Sequence, residues 1–144
     1  MPWALDDEVP GPPCYCGRHG CIEAFLSGPG MTRDHERHTS RREQAPAIVA
    51  SALAGDRAAS DTLARYEDRM ARALAGVINV LDPDAIVLGG GMSNIDRLYV
   101  NVPRLWSPYV FAAGAGDIVR TQLVRARHGD ASGVRGAAWL WSAR

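Results

Sequence analysis

The chain has no lysine. All sixteen of its basic residues are arginine, and sixteen aspartates and glutamates balance them to a formal net charge of zero over 144 residues. Alanine is abundant as well, and we read both biases as codon usage. Without surplus positive charge, a basic tract or a basic patch interleaved with aromatics, the composition argues against a nucleic-acid surface. No apolar run is long enough to span a bilayer. The opening residues, with Asp6, Asp7 and Glu8, are unlike a signal peptide. A chain of this length buries one core, so we expect one domain or part of one.

Cysteine is scarce too, and what there is falls in one place. Cys14, Cys16 and Cys21 are spaced C-x-C-x4-C, with Gly17 and Gly20 between the last two. Thiolates this close converge on one tetrahedral cation, for which Zn²⁺ is the usual occupant. The glycines permit positive φ, so that a short loop can double back. A disulfide with one cysteine left over, or three unrelated buried thiols, is the alternative. The clustering favours a structural zinc knuckle over 14–21. Such a cluster suits a reducing, cytoplasmic setting better than a secreted disulfide scaffold.

The same stretch, CxCGxxGCxE followed by Ser27-Gly28, resembles the signature of the ROK family of sugar kinases and related repressors. Its continuation through Pro29-Gly30 is similar to the fructokinase/mannokinase branch, as is the Pro2-Trp3 pair. In that family an upstream Gly-His supplies the fourth zinc ligand. No such histidine precedes Cys14, which leaves the fourth position to water, His19 or a neighbouring chain. Met1 accordingly reads as an internal start.

In chain order, residues 1–13 are acidic and rich in proline and glycine, and we expect an extended surface lead-in. A helical segment covers 22–81. Its first helix, over 22–27, ends at Gly28, with Pro29 preventing continuation. Residues 31–44 form a polar run in which His35 and His38, three apart, could bind metal on a helix face; the expectation is instead a solvated charged stretch. Ala47 to Leu53 reads as a short helix. Asp56 caps a longer one, whose Leu63, Tyr66, Met70, Leu74, Val77, Ile78 and Leu81 recur at spacings of three and four as a buried stripe. Arg65, Glu67, Asp68, Arg69 and Arg72 fall mostly on its wet side. Pro83 ends it.

Ala85-Ile86-Val87-Leu88 then reads as a strand buried on both faces, as in a parallel sheet. Gly89, Gly90, Gly91, Met92 and Ser93 follow, and Ser93 with Asp96 offers a capping-box-like helix start. Strand, glycine turn and helix is an arrangement that lets backbone approach a nucleotide. The segment 85–93 also resembles the adenosine-contacting loop of ROK and other actin-like kinases. A helical connection over 97–111, interrupted by Pro103 and Pro108, leads to a glycine-rich turn at 113–117. A strand over Ile118 to Val124 and a helix over 129–141, capped by Asp130 or Ser132, complete a closing unit at 118–142. This ending too is similar to the fructokinase branch, where the helix packs on the other lobe; with that lobe absent, Trp139 and Trp141 would lie partly exposed.

The resemblance covers the whole chain but about the second half of the family. It implies an α/β fold, a partial actin-like (ribonuclease H-like) ATPase domain with a zinc-binding loop. The full protein would transfer the γ-phosphoryl of ATP, with Mg²⁺, to a hexose hydroxyl, fructose being the expected sugar. Glu23 would contact the sugar; Gly89, Gly90, Gly91 and Met92 would contact the nucleotide, with Gly28 and Pro29 lining the same cleft. No catalytic residue is assigned: the aspartate-glycine hairpin that cradles phosphates and the Asn-Asp segment that carries the base have no counterpart here. The expected partners are ATP, the hexose and the absent N-terminal lobe, with a homodimer left open and neither nucleic acid nor membrane. The alternatives are a ROK-type repressor fragment and a non-catalytic zinc-stabilised interaction module.

Overall fold

A computed structural model describes residues 4–111, 116 and 118–140, with only the backbone of Asp130. The helices are α1 (Ile22–Phe25), α2 (Gly28–Thr39), α3 (Ala45–Leu53), α4 (Arg57–Leu81), α5 (Leu98–Leu105) and α6 (Ser132–Trp139). The strands are β1 (Ala85–Leu88) and β2 (Gln122–Arg125). Short 3-10 turns lie at Asp6–Glu8, Gly91–Asn94, Ser107–Tyr109 and Gly129–Ala131.

Helix α4 begins where its cap dictates, for the Asp56 carboxylate accepts a hydrogen bond from the Ala59 amide at 2.9 Å. It ends at Asp82, whose φ of 42° turns the chain left-handed just before Pro83. Leu63, Tyr66, Met70 and Ile78 are buried along it as the periodicity predicts, whereas Val77 and Leu81 are exposed and Ala59, Ala71 and Ala75 fill the inner side instead. Met31, Ile48, Leu98, Val102 and Trp106 from α2, α3, α5 and the turn after α5 complete the core.

The expected wet side of α4 is largely dry. Glu67, Arg69 and Arg72 are all buried. Arg69 binds Glu8 at 2.6 Å and Asp34 at 2.8 Å; Arg72 binds Glu8 at 2.8 Å. Glu67 accepts hydrogen bonds from Arg97 and, at 2.9 Å, from Asn101. Buried charges persist only when paired, and here the partners arrive from segments distant in sequence. The expected surface lead-in over 1–13 is therefore corrected for its described part, 4–13, whose 3-10 turn delivers Glu8 to α4.

Two further expectations are corrected around α2. Ser27 accepts a hydrogen bond from the Gly30 amide at 3.1 Å, and Pro29 occupies the first turn. Proline lacks a donor that the first turn does not use, so Pro29 starts a helix rather than stopping one. The polar run 31–44 is thus mostly helix. His35 is fully buried, with its Nδ1 2.9 Å from the Thr62 hydroxyl. That hydroxyl donates to the Ala58 carbonyl at 3.0 Å and so accepts from the ring N–H. Among the described residues, His35 and His38 belong to no metal-ligating cluster.

Strands β1 and β2 pair in parallel from Ala85 opposite Gln122 to Leu88 opposite Arg125. β1 is not buried on both faces, since Val87 is 60 % exposed; among the described residues the sheet has two strands. Pairing starts at Gln122 and not Ile118, after Thr121 has donated to the Pro83 carbonyl at 2.7 Å. Ser93 caps no helix: its hydroxyl donates to the Gly90 carbonyl at 2.6 Å inside a 3-10 turn, and α5 begins only at Leu98. Ser132 likewise donates backward to Gly129 and makes no cap bond to α6. Trp139 is largely exposed, as expected. Trp141, the Asp130 side chain and residues 113–115 and 117 of the expected turn lie outside the described residues. No helix among the described residues is long and apolar enough to cross a membrane.

Candidate functional site

The loop holding the cysteines is tied by backbone hydrogen bonds, from the Cys14 amide to Arg18 at 2.8 Å and from the Gly17 amide to Cys14 at 3.0 Å. Gly20, at φ +67°, lies against the lead-in so closely that a Cβ there would stand 2.8 Å from the Pro10 carbonyl oxygen. Only glycine permits both. The three sulfurs lie within 4.8 Å of one another. Cys16 Sγ is 3.5 Å from Cys21 Sγ, and no disulfide joins them. A backbone hydrogen bond from Arg18 and the neighbouring thiols lower the pKa of Cys16, while hydrogen bonding to Cys16 and Cys14 pushes that of Cys21 up to about 11. A soft divalent cation would replace these protons. His19 is exposed and does not join the cluster, so the described residues offer three sulfurs and no fourth donor.

Cys21 is also the residue before α1, and it hands the loop's rigidity to Glu23 in the first turn. The exposed Glu23 lines a cavity of about 160 Å³ with Cys14, Ser27, Pro29 and Arg33. A second, more apolar cavity of about 450 Å³ opens beyond it, between Gly28, Pro29, Ala45 and Val49 on one side and Gly91 and Met92 on the other. Four of the six residues expected at a nucleotide meet there; Gly89 and Gly90 form the adjoining turn without lining it. Gly90 has φ +77°, and no heavy atom lies within 4 Å of where its Cβ would be. Pro29 lines both cavities, so the start of α2 is their common wall.

Sequence reasoning missed Ala45, Pro46 and Val49 as cleft residues. Pro46 could have signalled the first turn of α3, which starts two residues before the expected Ala47. It also missed Arg33, whose guanidinium donates to the Ala24 carbonyl at 2.9 Å beside the smaller cavity.

The solved structures that superpose on this chain are ROK sugar kinases, and they give it part of an actin-like ATPase fold. A ROK hexokinase from Thermus thermophilus superposes with a TM-score of 0.73 at 28 % identity, over 90 % of this chain and 42 % of its own. A ROK family glucokinase from Streptomyces griseus, solved with glucose and AMPPNP, gives 0.75 at 23 % identity over 87 % and 45 %, a likeness of fold. Residues 5–144 match the ROK family, and the chain belongs to it. An N-acetyl-D-glucosamine kinase of Erwinia tasmaniensis is 38 % identical over 136 residues, 94 % of this chain and 44 % of the relative. The chain thus spans less than half the length of these relatives. None of the three is a fructokinase, and the branch expected from the sequence gains no support from them.

Proposed function

We propose that the chain forms the adenosine-binding and part of the sugar-binding half of an ATP-dependent hexose kinase, which transfers the γ-phosphoryl group to a sugar hydroxyl. The observation that carries this is the shared wall at Pro29, which puts an apolar cleft suited to a purine next to a less apolar one holding Glu23. In this reading Gly89, Gly90, Gly91 and Met92 bring backbone to the adenosine, with Gly28 and Pro29 opposite. The Glu23 carboxylate accepts hydrogen bonds from sugar hydroxyls, for which an ionised acceptor is the strong choice. The relatives' names favour N-acetylglucosamine or glucose over fructose.

Three converging thiols fit a zinc ion that would hold the loop and, through Cys21, the start of α1. Mg²⁺ would travel with ATP, but the described lining of the larger cleft carries no carboxylate to hold it. Phosphoryl transfer depends on positioning and charge stabilisation, so this half alone should not turn over. Reduced cysteines suit a cytoplasmic protein.

Ligand-observed NMR on the 144-residue chain tests the reading. ATP and N-acetylglucosamine should each show saturation transfer, and Glu23→Gln should abolish the sugar signal while sparing that of ATP. Equal loss of both signals, or a sugar signal indifferent to Glu23, would sink the assignment.

A further inference from the structure

The glycine turn after β1 has little to hold it from within. Outside the adjoining residues, no heavy atom lies within 4 Å of where a Cβ would stand on Gly89, Gly90 or Gly91, and glycine backbone gives up the most freedom when it is fixed. Local hydrogen bonds follow the triplet. The amide and the hydroxyl of Ser93 both donate to the Gly90 carbonyl, at 3.0 and 2.6 Å, and the Ile95 amide donates to the Met92 carbonyl at 3.3 Å. A further tie comes from α5, where the Tyr99 hydroxyl donates to the Ser93 carbonyl at 2.7 Å. Tyr99 is held in turn from β2. The Arg125 guanidinium covers its ring at 5.2 Å and donates to the Asp96 carboxylate at 2.5 Å. Arg125 also stands opposite Leu88 in the ladder, and Leu88 is the residue before the triplet. The chain entering the turn and the chain leaving it are thus fastened to one another through Arg125 and Tyr99.

We propose that Tyr99 is a positioning residue for the nucleotide cleft: its hydroxyl, through the Ser93 carbonyl, fixes the 3-10 turn Gly91–Asn94 that walls the larger cavity, and Arg125 holds its ring in place. Gly91, Met92, Asn94 and Ile95 line that cavity, whereas Tyr99 does not. Met92 reaches across it, with its sulfur 3.7 Å from where a Cβ on Gly28 would stand. A shift of the turn therefore changes the width of the cleft directly. This deepens the adenosine reading of Gly89, Gly90, Gly91 and Met92 and rests on it. The tyrosine ring packs against the core, a task that phenylalanine would do as well; the hydroxyl adds the bond to Ser93. A wall that is already fixed loses less freedom when a base is bound, which is how a supporting contact raises affinity.

The test uses the 144-residue chain labelled with ¹³C at the methionine methyls, titrated with ATP in a calorimeter well below its thermal midpoint. At that temperature a residue that serves only stability leaves the affinity of the folded chain unmoved. Tyr99→Phe should weaken ATP binding by about two- to tenfold, the worth of one neutral hydrogen bond. The Met92 methyl resonance, identified by its disappearance in Met92→Leu, should shift in Tyr99→Phe, while those of Met31 and Met70 in the core stay in place. An unchanged ATP affinity or a stationary Met92 methyl overturns the proposal. So does a shift of Met31 and Met70 as large as that of Met92, for Tyr99 then serves the fold as a whole. Arg125→Met, at an exposed site, supplies a second reading should Tyr99→Phe fold poorly: ATP should again bind more weakly, and wild-type affinity overturns the proposal. The wild-type titration separates this idea from the one it rests on. ATP bound with an affinity indifferent to Tyr99 removes the positioning role and leaves the adenosine reading standing. A Met92 shift in Tyr99→Phe, with no heat from ATP in the wild type, keeps the strap and removes the adenosine reading.

Discussion

Replacing Glu8 by Gln should cost this chain about 3 kcal/mol of folding stability at neutral pH, and the cost should vanish in acid. Burial opposes ionisation of the Glu8 carboxyl, but hydrogen bonds from Arg72, Arg69 and the Leu5 amide together outweigh it, bringing its pKa from 4.5 down to about 2. At about 1.36 kcal/mol per pH unit, that depression amounts to roughly 3 kcal/mol favouring the folded state. The stabilisation is fully present above the unfolded value of 4.5 and is lost as pH falls through about 2, where the folded chain takes up the proton as well. Breaking one member of a buried ion pair leaves the arginines short of countercharge, in the same range of cost. Asp34 still serves Arg69 and Asp68 still serves Arg72, which limits the damage. Urea denaturation followed by circular dichroism, on wild type and Glu8→Gln between pH 7 and pH 2, measures the difference directly. A gap of about 3 kcal/mol at pH 7, shrinking below about pH 4.5, is the expected outcome. A gap under about 0.5 kcal/mol, the usual range of a surface substitution, or one that does not change with pH, would refute the reasoning.

Other perturbations reach other parts of the molecule. Leu63→Ala, at a fully buried site on α4, should cost about 2–5 kcal/mol in the same denaturation assay; a loss below about 1 kcal/mol would mean that α4 is not the centre of the core. Gly90→Val should strain the backbone at φ +77° by about 1–2 kcal/mol and weaken ATP binding by calorimetry while leaving metal content unchanged; unaltered ATP affinity would place the nucleotide elsewhere. Stripping metal with a chelator and titrating Zn²⁺ back should restore one ion per chain, and Cys16→Ser should loosen it; atomic emission showing no zinc in either protein would remove the knuckle. A coupled ATP-consumption assay on the chain with N-acetylglucosamine, glucose and fructose should show no turnover, and a rate near that of an ordinary sugar kinase would mean that a catalytic base lies within these residues.

Much of this architecture could be read from residue patterns, because local chemistry sets it. The Asp56 cap, the 3.6-residue stripe through Leu63, Tyr66 and Met70, and the stop at Pro83 each act within a few residues. So does the glycine spacing that brings Cys14, Cys16 and Cys21 together. What escaped depends on partners far along the chain. Arg69 and Arg72 look solvated until Glu8 and Asp34 are seen to reach them, and His35 looks like part of a charged run until α4 supplies Thr62. Pro29 is ambiguous by nature, since the same missing N–H that halts one helix suits the first turn of another. The aliphatic run of β1 signals a strand, but whether both faces are covered depends on what lies over them. At the candidate site, the clustering of the three cysteines was legible from spacing alone, whereas Glu23 and the glycines of 89–91 were singled out by resemblance. Ala45 and Val49 contribute only shape, and shape has no signature in sequence.

The parallel pairing of β1 with β2 carries a consequence for how the molecule breathes. Four residues from Ala85–Leu88 meet four from Gln122–Arg125, and bringing such distant stretches together costs chain entropy that a short, half-exposed ladder recovers poorly. The amides of α4, by contrast, lie within one continuous helix beside the core. Amide hydrogens of β2 should therefore exchange with solvent deuterium well before those of α4. This unevenness means that the glycine turn after β1 hangs from a part of the structure less protected than α4. A ligand seated against that turn would be recorded first as slowed exchange along β1 and β2.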